Sequence, residues 1–214
     1  GGISGGPYVL GRAGLLDGHR CTIHWEHIPA FLEDFPEARI ARTLFEIDRN
    51  RLTCAGGIAA LDLMLAFIAA DHGEDLANAV SDWFLHGHAR QGSGPQRMTL
   101  RERTGVSHPR MLKVLEAMEA SVEAPLPREA LAALAGVSVR QLERLFAARL
   151  GTTLTDHYTA LRLDRARSLL RQTALPLTEV ALACGFASAS HFSRRYSARF
   201  GRPPGAERRS GPRS

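Results

Sequence analysis

The sequence predicts an α/β module followed by an all-helical module, in which two helix-turn-helix units are joined by a long helix. Three observations lead to this fold class. Short apolar strands alternate with helices up to about residue 90, which is typical of an α/β layer. No strand-like alternation follows Pro109. The second half also repeats itself at an offset of 49 to 50 residues, and each copy has a glycine between two helical segments.

Composition excludes several classes of protein. The 214 residues include 44% hydrophobic and 23% charged residues, as in an ordinary globular protein. The best apolar stretch, 58–70, is too short to span a membrane and contains Asp62. Cys21, Cys54 and Cys184 are too scattered for a disulfide framework or a zinc site, so we expect buried thiols in a reducing compartment. We therefore predict a cytoplasmic protein with no cofactor and no metal.

Charge divides the chain into two parts of opposite sign. Residues 1–99 contain 8 Arg and 12 acidic residues, a net charge of −4. Residues 100–214 contain 19 basic and 10 acidic residues, a net charge of +9. A basic module of this kind is an electrostatic candidate for binding nucleic acid, so the two modules are expected to have different partners.

The elements of the first module follow from apolar periodicity and turn residues. In chain order they are an apolar segment at 9–16, a strand at 20–25, a helix at 28–35, strands at 44–48 and 51–54, and helices at 58–72 and 75–86. The helix at 58–72 is apolar on nearly every side, which predicts that it is buried. The helix at 75–86 is amphipathic, and its predicted inner face consists of Leu76, Ala79, Val80 and Phe84.

Between the modules, a polar, glycine-containing stretch that is closed by Pro95 predicts a linker. The predicted domains are residues 1–90, a linker at 91–108, a helical domain at 109–209 and a tail at 210–214. The helical domain opens with a helix at 111–122, whose predicted inner face is Leu112, Leu115, Met118 and Val122.

The repeat defines two helix-turn-helix units at about 130–151 and 178–201. Gly136 and Gly185 occupy the turns, where glycine permits the backbone angles of a tight turn. Arg144 matches Arg194, and Arg149 matches Arg199. A long helix at 155–171 should connect the units, with Tyr158, Leu161, Ala166 and Leu169 facing inward.

The second helix of each unit has an outward face of polar or small residues. In the first unit this face is Arg140, Glu143, Arg144 and Ala147; in the second it is Ser190, Ser193, Arg194 and Ser197, beside His191. Small and polar residues with one long Arg suit a helix in the major groove, where Arg can reach O6 and N7 of guanine. A duplicated αα-hairpin with solvated charges is the alternative, and the pattern alone leaves it open.

The second module resembles a known family. Residues 110–209 resemble the AraC/XylS-type DNA-binding domain, and residues 181–204, from Ala-Leu-Ala-Cys-Gly-Phe to Arg-Pro-Pro, carry the family signature nearly intact. The resemblance implies two helix-turn-helix units joined by a long helix, and a role in transcription control. It also implies DNA contacts from Arg140, Gln141, Glu143, Arg144, Ser188, Ser190, His191 and Arg194.

The first module resembles the C-terminal part of a DJ-1/PfpI-type domain, which is class I amidotransferase-like and flavodoxin-like. Gly2-Ile-Ser-Gly-Gly-Pro stands where that superfamily has its nucleophile elbow, usually with Cys where this chain has Ser4. Residues 13–24 match the following helix and a strand that carries His24, and residues 53–57 match the last strand. The chain is therefore expected to be a fragment that lacks about the first half of this domain.

Together the two resemblances point to bacterial regulators of glycine betaine, carnitine and arginine catabolism. They imply a sequence-specific regulator, with activation favoured, that senses a small metabolite through a non-catalytic DJ-1-like domain. The partners we expect are double-stranded DNA, RNA polymerase, a second copy in a homodimer, and a small-molecule effector such as a quaternary amine or an amino acid. We expect no membrane association.

An enzyme of the hydrolase class is the alternative function. Ser4 in a tight Gly-rich turn, with His24 as a base, would suit a Ser-dependent amidase with a DNA-binding appendage; a thiol-dependent one is the variant. A serine hydroxyl needs a well-placed base, and the sequence assigns no acid to orient His24. The spacing of His24 and His27 does not suit a helical zinc site, and His86 and His88 beside the linker are expected to be solvated.

Overall fold

A computed structural model describes residues 1–209. The chain divides into two compact units, Gly1–Arg97 and Met98–Ser214. The boundary between the two units lies within the segment predicted as a linker, 91–108, and that linker stays a prediction. The predicted tail, 210–214, lies outside the described residues.

The first unit contains a small sheet region. Strand β1 (Gly2–Ile3) pairs in parallel with β5 (Arg51–Cys54), which forms an antiparallel hairpin with β4 (Phe45–Asp48). Strand β2 (Arg20–Cys21) pairs in parallel with β3 (Arg39–Ile40). Strand β2 is shorter than the predicted 20–25, because Thr22 leaves the ladder and bonds through its N–H to the Thr53 hydroxyl at 2.9 Å.

Four helices complete this unit: α1 (Gly6–Arg12), α2 (Ile28–Asp34), α3 (Ala59–His72) and α4 (Glu74–Trp83). Buried Ile23, Ile28 and Phe31 lie in one apolar cluster, and Leu44, Cys54 and Leu63 lie in another. These helices and short strands agree with an α/β unit. The DJ-1-like, flavodoxin-like domain stays a prediction.

Two predictions about burial in the first unit are wrong. Helix α3 is not buried on all sides, since Met64 and Phe67 are 47% and 42% exposed. Helix α4 buries Ala77 and Ser81, whereas Leu76 and Phe84 of its predicted inner face are exposed. The packed side of α4 is therefore its small-residue side, because the helix lies close to its neighbour α3 in the hairpin around Gly73.

The second unit is entirely helical over its described residues. Its helices are α5 (Leu100–Thr104), α6 (Pro109–Ala120), α7 (Arg128–Ala135), α8 (Val139–Leu150), α9 (Leu154–Gln172), α10 (Leu177–Ala183), α11 (Ala189–Phe200) and α12 (Pro204–Arg209). The pairs α7–α8 and α10–α11 are the two helix-turn-helix units, and α9 is the long helix between them. Helix α5 was not predicted; it begins with a capping box between Thr99 and Glu102.

The core of the second unit follows the predicted periodicity. Leu115 and Met118 of α6, Leu142 and Phe146 of α8, and Tyr158 of α9 are buried in one cluster. In α6, Met111 and Val114 are also buried, whereas Leu112 and Val122 of the predicted inner face are only partly buried. In the second helix pair, the buried aromatic residues are Phe186, Phe192 and Tyr196.

Candidate nucleic-acid interface

Helix α8 presents an exposed polar face because its other face is anchored in the core. Ser138 caps the helix: its hydroxyl accepts the N–H of Gln141, and Gln141 Oε1 accepts the Ser138 N–H at 2.9 Å. Leu142 and Phe146 are fully buried. Arg140, Gln141 and Arg144 are therefore exposed, on the side that the sequence predicted.

Helix α11 repeats this arrangement with smaller side chains. Its N-cap is Ser188, whose hydroxyl accepts the backbone N–H of His191 at 3.3 Å. Phe192 fixes the buried face, and Ser190, His191 and Arg194 are exposed. The structure thus gives Ser188 a capping role, as it does Gln141 in the first unit.

The arginines of these two helices fall into two classes. Arg140, Arg144 and Arg194 are exposed and make no ion pair with any residue in 1–209. Arg195 and Arg199 are instead paired with the long helix, at 3.0 Å to Asp156 and 2.8 Å to Asp164. The exposed arginines leave all their guanidinium donors open to a ligand, whereas the paired ones hold α11 against α9.

Glu143 is the one member of the predicted set that is half-buried and near a charged neighbour. Its carboxylate lies 3.9 Å from the guanidinium of Arg128, the first residue of α7. At that separation the pair is weak, because solvent-exposed ion pairs contribute between about 0 and 1 kcal/mol.

The turn of the second helix pair is held from α9 by a residue that the sequence analysis missed. Arg162 donates from Nε to the Cys184 carbonyl at 2.8 Å and from Nη2 to the Gly185 carbonyl at 2.5 Å. Its guanidinium also stacks over Phe186 at 4.1 Å from the ring centroid. The sequence did contain a signal for this role, because Arg162 lies on a helix face that is otherwise apolar.

Gly185 itself is required by both conformation and space. Its φ is +70°, in the region that favours glycine. A Cβ there would lie 2.6 Å from the Pro125 ring and 2.7 Å from the Val122 carbonyl oxygen. The turn of the second pair thus packs directly on the segment that precedes the first pair, which restricts the relative position of α8 and α11.

A buried carboxylate ties the C-terminal helix to α9. Glu207 is fully buried and accepts from Arg167 at 3.0 Å, from Arg171 at 2.6 Å and from Arg202 at 2.8 Å. Burial alone would raise the pKa of Glu207, but the hydrogen bonds and charges of Arg167 and Arg171 outweigh it and lower the pKa to about 2.

The residues proposed for hydrolysis in the first unit, Ser4 and His24, are not joined by a hydrogen bond. Ser4 does occupy a strained turn between β1 and α1, with φ of 57°. No hydrogen bond joins Ser4 to His24 within residues 1–209; His24 Nδ1 instead accepts the N–H of Glu26 at 3.4 Å. Burial lowers the pKa of His24 more than Glu26 raises it. A strained strand-to-helix turn is therefore present at Ser4, but no hydrogen bond to His24 within residues 1–209 activates its hydroxyl.

The remaining candidate ligands are placed as follows. Cys21, Cys54 and Cys184 are buried, as predicted, and they form no disulfide within residues 1–209. His86 is not solvated, because its Nε2 lies 2.8 Å from Oδ1 of buried Asp62. In the part of the chain that the structure describes, no group of three or more His, Cys, Asp or Glu could hold a metal ion. No helix within 1–209 has the length and apolar character to cross a bilayer.

Comparison with known proteins shows which regulators this chain resembles. A family profile described as "Helix-turn-helix domain" matches residues 131–210. The HTH-type transcriptional regulator GlxA of Rhizobium meliloti (strain 1021) is 49% identical over 98% of this chain and 64% of its own length. The HTH-type transcriptional regulator CdhR of Pseudomonas aeruginosa is 49% identical over 97% of this chain and 62% of its own length. The chain thus spans about three-fifths of these curated relatives.

Among solved structures, a transcriptional regulator described as containing an AraC-type DNA-binding domain, from Chromobacterium violaceum, is 46% identical. The match covers 47% of this chain and 90% of that one, with a TM-score of 0.46.

Proposed function

Because residues 131–210 belong to the AraC family of helix-turn-helix domains, we propose that the protein is a sequence-specific DNA-binding regulator of transcription. One observation carries the proposal beyond family membership. Arg144 and Arg194 occupy equivalent positions in the two repeats, and both are exposed with no ion pair within residues 1–209. An exposed arginine without an ion pair keeps its guanidinium donors available for a ligand. Arginine is also the side chain best suited to bind guanine.

In this proposal the two helices read DNA differently. Arg140 and Arg144 of α8 are the candidates for base edges in the first half-site, with Glu143 beside them. Gln141 has its Oε1 engaged in the helix cap, so only its amide N–H groups remain for a base or a phosphate. Helix α11 has one long side chain, Arg194. Ser190 and His191 beside it would contact bases or phosphates, and Ser188 chiefly orients the helix.

Two recognition helices on one rigid domain imply two boxes in the operator. Successive major grooves on one face of DNA are about 34 Å apart. Helix α9 spans 19 residues between the helix pairs, and Gly185 packs on Pro125, in the segment that leads into the first pair. Both features support a fixed spacing between the boxes rather than an adjustable one.

The remaining parts of the proposal rest on the family resemblance. The first unit would act as a non-catalytic, DJ-1-like sensor of a small metabolite, such as a quaternary amine or an amino acid. A homodimer would act on RNA polymerase, favouring activation of a catabolic operon. The relatives GlxA and CdhR support the regulatory role, because both are transcriptional regulators.

The test is selection of genomic DNA fragments by the purified protein, followed by titration of the retained sites at several salt concentrations. Arg144→Ala and Arg194→Ala should each weaken specific binding by about 1–3 kcal/mol if the contact to guanine is bidentate. Arg149→Ala is the matched control, because it removes an exposed charge from α8 away from the proposed contact face.

Two results would contradict the proposal. One is retention of DNA without a shared motif, with affinity that falls with salt equally on all sequences, as a basic patch alone would give. The other is an equal loss of affinity in all three variants. That result would mean that Arg144 and Arg194 contribute only non-specific electrostatic attraction to DNA.

A further inference from the structure

The last residues of the first unit form a strap, defined here as residues 87–97, that lies on the rest of that unit. Arg90 binds buried Asp62 through its backbone N–H at 2.9 Å, through Nε at 2.9 Å and through Nη2 at 2.6 Å. The carbonyl of Gly92 accepts the N–H of Leu44 at 2.9 Å. The strap ends at Arg97, and the next residue, Met98, is the first of the second unit.

Gln96 anchors the end of the strap through one nitrogen. Its Nε2 lies 3.0 Å from the carbonyl oxygen of Ile23, 2.7 Å from that of Thr43 and 2.9 Å from the Thr22 hydroxyl. Two carbonyl acceptors fix which end of the amide is the nitrogen. Gln96 Oε1 is buried without a hydrogen-bond partner in the described residues. A buried acceptor without a donor weakens the docked strap, so this segment is poorly suited to permanent attachment.

The strap closes one side of a cleft of about 230 Å³. Trp25, Ala55, Gly56 and Ile58 line it from the body of the unit, whereas Arg90 and Gln96 line it from the strap. Arg97, also in the strap, stacks over Trp25 at 4.0 Å. The volume lies below the roughly 300–1,000 Å³ of pockets for drug-sized ligands, so the cleft suits a small molecule.

The lining determines the charge of that molecule. Arg90 uses Nε and Nη2 on Asp62, and its Nη1 donates to no residue within 1–209. Its side chain is 48% exposed, whereas Asp62 is fully buried beneath it. His24, the other basic side chain of the cleft, has a pKa lowered by burial, so its ring is neutral at pH 7. Arg90 is thus the charged side chain of the cleft that keeps a donor group beyond its pair with Asp62, and the apolar residues Trp25 and Ile58 line the same cleft.

We propose that this cleft binds a small carboxylate, with the anionic group on Arg90 and the apolar part against Trp25 and Ile58, and that the strap reports its binding to the second unit. The proposal rests on the proposed function, because it gives the sensing step a site and a route. A ligand held between the strap and the body binds the docked strap better than the free one. It therefore shifts the strap toward docking, and the strap continues directly into Met98.

The binding test uses the whole chain carrying Trp83→Phe, which leaves Trp25 as the sole tryptophan. Trp83 is 86% exposed, so this change disturbs no packing. The probe is isovalerate, and its matched control is isovaleramide, which has the same shape without the charge. Isovalerate should change Trp25 fluorescence saturably, and it should bind about tenfold or more tightly than the amide. Equal affinity for the two, or no saturable response, overturns the carboxylate assignment.

The coupling test is hydrogen exchange of the strap amides. At isovalerate of about ten times its Kd, exchange in 87–97 should slow by roughly tenfold. Gln96→Leu removes the hydrogen bonds of Nε2 and should abolish this slowing, whereas the exposed control Ser93→Ala should keep it. Arg90→Lys keeps a cation beside Asp62 but lacks the additional guanidinium nitrogen, Nη1, that is proposed to bind the carboxylate. It should therefore reduce the preference for isovalerate over the amide.

The outcomes separate this inference from the function on which it rests. Binding of isovalerate with unchanged exchange in the strap overturns the route through the strap. Specific operator binding is measured separately, without any probe, in the wild-type chain. If operator binding is present and both cleft tests are negative, the inference fails alone. If operator binding is absent, the proposed function fails whatever the cleft binds.

Discussion

Replacement of Glu207 by Gln should destabilise the second unit far more than the loss of one surface charge. The carboxylate is fully buried and accepts from Arg167, Arg171 and Arg202. Gln keeps the shape but removes the negative charge, so three guanidinium groups would converge on a neutral amide. Breaking a buried ion pair by changing one partner typically costs about 3–5 kcal/mol.

The magnitude can be derived from the pKa of Glu207. A fall from 4.5 to about 2 corresponds to about 3 kcal/mol, at 1.36 kcal/mol for each pH unit. The arginine side chains are 35% to 48% exposed, so screening by water makes this an upper value. We therefore expect a loss of about 2–3 kcal/mol in the free energy of unfolding at pH 7.

The pH dependence has a definite sign. Because the folded-state pKa of Glu207 is depressed, its contribution is complete above pH 4.5 and is lost as pH falls toward 2. The difference in stability between the wild type and Glu207→Gln should therefore shrink by more than half between pH 7 and pH 3.

Hydrogen exchange of peptides from α9 in increasing urea is the appropriate assay, because both tryptophans lie in the first unit. Glu179→Gln, an exposed change on α10, is the matched control. The reasoning is refuted if Glu207→Gln is no less stable than this control. It is also refuted if the difference from wild type is the same at pH 7 and pH 3.

Three further predictions concern other parts of the chain. Gly185→Ala should destabilise the second unit by at least about 1 kcal/mol in urea unfolding, since Ala is strained at positive φ and its Cβ has no space; unchanged stability would contradict the assigned contact. Arg199→Ala should lower stability by up to about 1 kcal/mol through its lost pair with Asp164, whereas Arg194→Ala should lower operator affinity without lowering stability. Ser4→Ala should leave the rate of amide and ester hydrolysis at the wild-type level, and a rate lost in this variant would restore the hydrolase alternative.

The repeat made the helical unit predictable because local rules and packing agree there. Ser138 and Ser188 cap the second helices, glycines occupy the turns, and Leu142 and Phe192 are buried at equivalent positions. Each of these signals can be read from a few neighbouring residues.

The first unit was less predictable because its burial depends on distant neighbours. Periodicity identifies an apolar side of α4 but not what packs against the helix, and Leu76 and Phe84 of that apolar side are exposed. The strap overlaps the predicted linker, 91–108, which was predicted from its polar and glycine-containing composition. Gln96 is held against the rest of the first unit by contacts with Thr22 and Thr43, which are 74 and 53 residues away in sequence. No local pattern contains that information.

The arginines of α11 show which signal would have separated structural from functional side chains. Arg194 aligns with Arg144, and both are exposed. Arg195 aligns with Leu145, which packs against the core of the first helix pair, so the repeat itself places Arg195 on the inward side. Its pair with Asp156 agrees with that position. Comparison of a residue with its counterpart in the other copy therefore predicts its side of the helix better than its charge does, and it singles out Arg194 as the exposed arginine for which a DNA contact is proposed.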